Sequence, residues 1–415
     1  MVGVAQDLVA VVMMASGCGA PRTAWAVAVE AGGRIRWRTP LATRGNTITV
    51  NLPAIADGPT AYFAQDDTVY AIATDTGRPS WQWTRGSSVS GMWLWQGTLV
   101  VLVDQTGPHP LLAGLNTADG AVRWSAPMPG VLGVPTPTVD GGLALLHTDQ
   151  TLEVVDLADG HRRWSTGGVT APSVGAVDGL VVAGQAGTLS GFDDRTGRRA
   201  WRAAGLPAVP IVRVAAGVVL VTSAMQGGSN STALTAVNPA TGRTLWRLDQ
   251  GGPLTVLTAA AQGILVASYT PRRALFLLDP VTGKPRWQVD TAIYIGTTPA
   301  LLAQDVISIE GGVHGYPNVQ LVDRTTRSGT VRWQVDLGTR PAGAQKVITV
   351  GSHAIVQTVG NQVGTQAPLL AYDLTTGTAA WQTAMPTFVQ VPPTVDGTLL
   401  LVQPADPPTA HAVTG

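Results

Sequence analysis

Cysteine, lysine and charge of either sign are scarce in this chain of 415 residues. Cys18 is the only cysteine, so no disulfide can form within the chain. Lys284 and Lys346 are its only lysines, and charged residues make up 13% of the whole, against 45% hydrophobic. That hydrophobic share excludes a disordered polyelectrolyte. The 26 basic residues are balanced by 26 acidic ones, which leaves no broad basic field for nucleic acid or an anionic membrane. No segment beyond the N-terminus has the 3.6-residue periodicity of an amphipathic helix. The apolar run from Leu8 to Ala15 is too short to span a bilayer as a helix.

Catalytic motifs are missing as well. The histidines His109, His147, His161, His314, His353 and His411 stand at no metal-ligand spacing, and there is no His-Glu-x-x-His. The chain has no Gly-x-Ser-x-Gly elbow, phosphate-binding loop or Cys-His pair. The sequence therefore predicts no catalytic residue, no metal site and no cofactor site. Distant residues can still converge in a fold, so the reading "not an enzyme" is an expectation to carry forward.

Glycine (49), proline (29) and tryptophan (13) are what the chain has in quantity, and they are ordered. Gly-x-x-x-Trp recurs at nine regularly spaced stations, ending at Trp37, Trp81, Trp124, Trp164, Trp201, Trp246, Trp287, Trp333 and Trp381. The spacings lie between 37 and 48 residues with a mean of 43, the period of a four-stranded propeller blade. The unit ending at Trp201 reads as four strands: Ala171 to Val177, Leu180 to Ala183, Thr188 to Phe192 and Arg198 to Arg202. Asp-Gly turns are expected at Asp57-Gly58, Asp140-Gly141, Asp178-Gly179 and Asp396-Gly397.

Four residues before the repeat glycine stands Asn116, Asp156, Asp193, Asn238, Asp279 or Asp373; Asp323 is read as the same position displaced by a two-residue insertion. A side-chain oxygen there accepts from backbone NH groups just ahead, and glycine takes the positive φ that completes the reversal. These carboxylates belong to successive units, so they are turn formers and not one metal cluster.

Asp-x-x-Thr-Gly-x-x-x-Trp repeated in this way resembles the PQQ-like (quinoprotein-type) β-propeller repeat with its tryptophan-docking motif, and in particular the BamB-like propeller lipoproteins. The resemblance covers about Ala24 to the C-terminus. It implies that each repeat Trp lies between neighbouring blades against backbone. It also implies an all-β propeller of four-stranded antiparallel blades closed by N- and C-terminal strands. The family usually has eight blades, and eight are expected here although nine Trp repeats are counted, one terminal piece only supplementing a neighbour. Residues 24–415 are thus expected to form the propeller, with Thr398 to Gln403 and Ala410 to Thr414 complementing the N-terminal fragment.

Residues 1–18 are expected to be an export signal ending in a lipidated Cys18: small residues, Ala15-Ser16-Gly17, stand between the apolar run and the lone cysteine. The protein would then be exported and held at a membrane by its lipid alone, on the outer face of the cytoplasmic membrane or in the periplasm, as a monomer. Trp25, Trp83, Trp93 and Trp95 lie outside the series and are assigned to core packing. Asn230-Ser231-Thr232 is a glycosylation sequon by pattern only.

Function is sought where the repeats differ. Between second and third strands, insertions fall at Asp104 to Pro110, Thr222 to Thr232, Glu310 to Asn318 and Thr358 to Pro368. All four emerge on one propeller face, which makes His109, Asn230, His314, Tyr316, Asn361 and Gln362 candidate contacts for a protein or envelope component. The competing expectation is a PQQ- and calcium-dependent dehydrogenase, or a small-ligand sensor, with its site at the central channel.

Overall fold

The computed structural model describes residues 9–14, 24–29, 35–41, 55–103, 110–128, 138–147, 151–167, 173–185, 187–206, 210–223, 233–269, 272–293, 297–313, 316–337, 345–357, 369–383, 399–400 and 410–411. They contain strands and turns and no helix, so none is long and apolar enough to cross a membrane. The described residues form eight four-stranded sheets, one five-stranded sheet and one two-stranded sheet, and the fold is a β-propeller. Each blade is named here by the Trp in its fourth strand.

The Trp201 blade shows how sequence becomes sheet. Ser173–Val177, Leu180–Gln185, Thr188–Asp193 and Arg199–Ala204 pair antiparallel in chain order. Asp178 (φ 48°) and Gly179 (φ 76°) both take left-handed backbone, the two-residue turn whose twist suits a hairpin. The second and third strands are buried along most of their length and the fourth alternates, so the hydrophobic centre lies between blades.

One irregularity recurs in every blade. Register between third and fourth strand shifts by one residue just before the Trp: Gly191 faces Trp201 while Phe192 faces Arg199, leaving Ala200 unpaired. The same shift accompanies Trp37, Trp81, Trp124, Trp164, Trp246, Trp287, Trp333 and Trp381. A bulge of this kind bends the strand and re-aims the next side chain. Here it turns the indole toward the following blade.

That blade supplies the acceptor for every repeat Trp except Trp381, whose Nε1 has no partner among the described residues. Trp287 Nε1 donates to the carbonyl of Thr326 at 3.0 Å, Trp246 to Pro280 at 2.8 Å, Trp201 to Pro239 at 2.7 Å and Trp37 to Thr74 at 2.8 Å. Each acceptor stands three residues before the next repeat glycine, and that glycine lies flat on the ring. A Cβ at Gly77 would stand 2.6 Å from Trp37, and one at Gly329 would stand 2.8 Å from Trp287. The repeat glycine thus serves two needs, positive φ and close approach of an indole.

Both chain ends enter one sheet. Ile35–Leu41, Ala24–Val29, Val9–Met14 and Leu399–Leu400 follow one another in it, the last pairing parallel to Val9 and Ala10. The apolar run expected to be an export signal is therefore placed as a strand, while Cys18 lies outside the described residues. Ala410–His411 does not join this sheet as expected. It pairs with Gln382 and Thr383 on the outer edge of the Trp381 blade.

Trp83 packs against the core shared by the Trp81 and Trp124 blades, and Trp93 and Trp95 against the next one. Trp95 covers Gly142, where a Cβ would stand 2.6 Å from its ring.

Candidate functional site

Of the candidate contact residues, His109, Asn230, His314, Asn361 and Gln362 lie outside the described residues. Tyr316 begins the third strand of the Trp333 blade, and the hairpin that carries it is the part of the predicted face the structure describes in detail.

The sequence reading of Glu310 to Asn318 as a loop is corrected here. The chain continues the sheet: Asp305–Val313 and Tyr316–Thr325 pair from Asp305↔Thr325 out to Val313↔Tyr316. Gly311 (φ 89°) and Gly312 (φ 74°) form the irregularity near the tip. Alternation of Ile309, Val319 and Leu321 into the core, all buried, makes this an elongated hairpin whose pairing reaches Val313 and Tyr316.

Its base is held by a buried polar network. Glu310 is 5% exposed, and Arg324 grips it with two parallel bonds: Nε to Oε1 at 2.9 Å and Nη2 to Oε2 at 2.8 Å. Ser308 Oγ donates to Oε1 at 2.8 Å and Thr291 Oγ1 to Oε2 at 2.6 Å. Arg324 Nη1 reaches the carbonyl of Gly329 at 3.1 Å, the glycine that lies on Trp287. Thr291 belongs to the segment entering from the Trp287 blade, and Ile293 bridges Glu310 while Gly311 NH donates to Ala292 O at 2.7 Å. Four donors saturate this carboxylate, so it is neither a free base nor a cation ligand. It clamps the hairpin to the neighbouring blade.

A second correction concerns Asp323. No insertion displaces it from the turn: Thr325 accepts the repeat-glycine NH with its carbonyl at 2.9 Å and occupies the capping position. Asp323 lies two residues earlier, opposite Trp333, where other blades have Ala71, Gly114, Val154, Gly191, Ala236, Leu277 or Ala371. It is fully buried, and neither carboxylate oxygen has a hydrogen-bond partner among the described residues. Burial, then the charge of Asp305, pushes its pKa up to about 6 against the pull of Arg332, whose Nε is 3.7 Å away.

The other turns follow the sequence reading. Asp279 Oδ1 accepts from Thr282 NH at 2.9 Å, Thr282 Oγ1 at 3.0 Å and Val281 NH at 3.1 Å, and Arg286 Nη2 bonds Oδ2 at 3.1 Å. The Thr282 NH, first, and Arg286 hold its pKa below the usual carboxylate range. Among the described residues no three His, Cys, Asp or Glu side chains gather as a metal site. Sequence reasoning missed the Glu310 network and the isolation of Asp323. The available signal was an acidic residue inside an otherwise apolar strand pattern.

The family model described as "Outer membrane protein assembly factor BamB" matches residues 1–107, 90–224, 229–316 and 317–414. No curated protein matches the chain. Among solved structures, a eukaryotic initiation factor is similar with a TM-score of 0.63 at 12% identity, covering 92% of this chain and 97% of that one. The computationally designed Ika8 protein has a TM-score of 0.53 at 12% identity, over 76% and 94% of the two chains. BamB from Moraxella catarrhalis has a TM-score of 0.48 at 17% identity, over 82% and 95%. At these identities the initiation factor and the designed protein speak for the fold alone.

Proposed function

Because the chain belongs to the family described as outer membrane protein assembly factor BamB, we propose that it is a non-catalytic scaffold holding a protein of the cell envelope. The partner sits on the face from which the Trp333 blade projects its elongated hairpin. The observation that carries this reading is the Glu310–Arg324 clamp. It fixes the base of a projecting hairpin to the neighbouring blade, and a rigid support lowers the ordering cost of binding at the tip. The remaining inserted segments of the same face, with His109, Asn230, His314, Asn361 and Gln362, complete the proposed surface.

Nothing in this role requires a quinone or calcium. The protein would act outside the cytoplasm as a monomer, tethered through a lipid on Cys18. Whether Val9–Met14 is removed or kept as a strand is then a direct question for the mature N-terminus, answered by mass spectrometry of protein taken from the envelope.

A photocrosslinking residue at position 316 tests the binding face, with position 281 as its control. Val281 is 70% exposed in the turn at the opposite end of a blade. Crosslinks to one envelope protein from 316 and none from 281 are expected. Equal crosslinking from both positions, or crosslinks from 281 only, overturns the reading.

A further inference from the structure

A formal net charge of zero conceals a strong local excess. Between Asp194 and Asp249 there is no acidic residue, yet Arg195, Arg198, Arg199, Arg202, Arg243 and Arg247 all fall in that interval and all are exposed. Arg213, also in the interval, is on a first strand and donates to the carbonyl of Val256 at 3.1 Å. The other six lie in the third-to-fourth-strand turns and fourth strands of two blades, Arg199–Ala204 and Thr244–Asp249. These blades are neighbours, joined by the Trp201 bond to Pro239.

Three other fourth strands neutralise an arginine at home. Arg163 meets Asp156 at 2.6 Å, Arg286 meets Asp279 at 3.1 Å and Arg332 meets Asp305 at 2.6 Å. In the Trp201 blade the residue before the Trp is Ala200, and Asp193 takes its hydrogen bonds from Thr196 instead. Arg198, Arg199, Arg202 and Arg243 consequently have no ion pair among the described residues, while Arg195 lies within electrostatic reach of Asp193. Arg247 has only a solvent-exposed contact of 3.6 Å with Asp249. Leu245, two residues before Arg247 in the same strand, is 41% exposed.

We propose that the outer strands of the Trp201 and Trp246 blades form a face that rests on a bilayer of anionic phospholipid. The rim of a propeller is convex, so a flat surface can touch only adjacent outer strands, and the unpaired cations occupy two adjacent ones. Guanidinium groups bond phosphate oxygens in pairs and are more weakly hydrated than ammonium groups. Leu245 among them supplies an apolar contact at headgroup depth. This rim is separate from the hairpin face, so the inference stands or falls independently of the scaffold reading.

The test uses the full chain carrying Cys18→Ser, which cannot be acylated, sedimented with vesicles of phosphatidylcholine containing phosphatidylglycerol. Binding that weakens as salt rises is expected. Each guanidinium near an anionic surface raises the binding constant by about fivefold, so Arg198→Gln, Arg199→Gln and Arg202→Gln together lower it on the order of 100-fold. Leu245→Ser weakens it further. Removing the same charge elsewhere on the rim, with Arg123→Gln, Arg163→Gln and Arg286→Gln, leaves most of the binding. Equal losses in the two triple variants overturn the proposal, as does equal binding to phosphatidylcholine alone. Tighter binding to polyglutamate than to the vesicles also overturns it and points to an acidic protein partner. Arg202→Glu alone, an exposed single change, serves as the second variant and loses binding without any change in urea midpoint.

Discussion

Gly329 lies on the indole of Trp287, so close that a Cβ on it would stand 2.8 Å from ring carbon Cδ2, and its φ of 70° is itself unfavourable for a side chain. Gly58 has a similar φ of 53° with nothing within 4 Å of the same hypothetical atom. The pair separates two costs that a sequence shows as one. Gly58→Ala should destabilise by about 1 kcal/mol from the left-handed backbone alone. Gly329→Ala should lose a further ~1–3 kcal/mol from overpacking against the ring. Urea midpoints of the two variants check the difference; equal losses would show that the ring moves aside freely.

Trp287 offers a second comparison. Replacing it with Ala should cost about 3–5 kcal/mol through the cavity left between two blades. Replacing it with Phe keeps most apolar contact but strands the Thr326 carbonyl, at a cost of about 1–3 kcal/mol. Chemical denaturation of both variants measures the ordering Trp, Phe, Ala.

Asp323 predicts a pH dependence with a definite sign. Its folded pKa, about 6, is raised above the ordinary Asp value, so the folded state binds the proton more tightly than the unfolded chain does. The penalty for ionising it is absent at acid pH, grows as pH climbs through the ordinary value toward 6, and is complete above that. A shift of this size corresponds to at most about 3 kcal/mol. Asp323→Ala, which installs what Ala71, Ala236 and Ala371 already are in their blades, should raise stability at pH 8. It should also flatten the profile between pH 4 and 6. Thermal unfolding across that range is the measurement, and an unchanged slope would mean that Asp323 is not the group responsible.

Glu310 and Arg324 should behave as a coupled unit. Removing either partner leaves a buried charge without its counterpart, a loss of about 3–5 kcal/mol, whereas replacing both with apolar residues should cost less than the two single losses combined. A double-mutant cycle of Glu310→Leu and Arg324→Met gives the coupling. Additive losses would remove the clamp on which the rigid hairpin depends.

Much of the architecture was legible because it is local and repeated. Thr188 to Phe192 and Leu180 to Ala183 were read within a residue or two of their observed ends, and Asp279 makes the turn bonds its spacing implied. Misreadings occurred where a residue's meaning depends on something distant in sequence. Glu310 looked like loop polarity until Arg324, Ser308 and Thr291 closed around it. Asp323 looked like a turn former because spacing cannot distinguish it from Thr325, which occupies the turn.

By itself the sequence determined the strand period, the turns and the stations of the nine tryptophans, since alternation, positive φ and Asx bonding act over a few residues. The tertiary structure decided which carbonyl eight of the nine repeat indoles reach and why a glycine faces the ring. It also decided that Glu310 clamps while Asp323 is stranded, and that the free arginines gather on two adjacent blades. Those outcomes depend on contacts between blades some forty residues apart, where burial and the pairing of charge, more than local conformation, set the free energy.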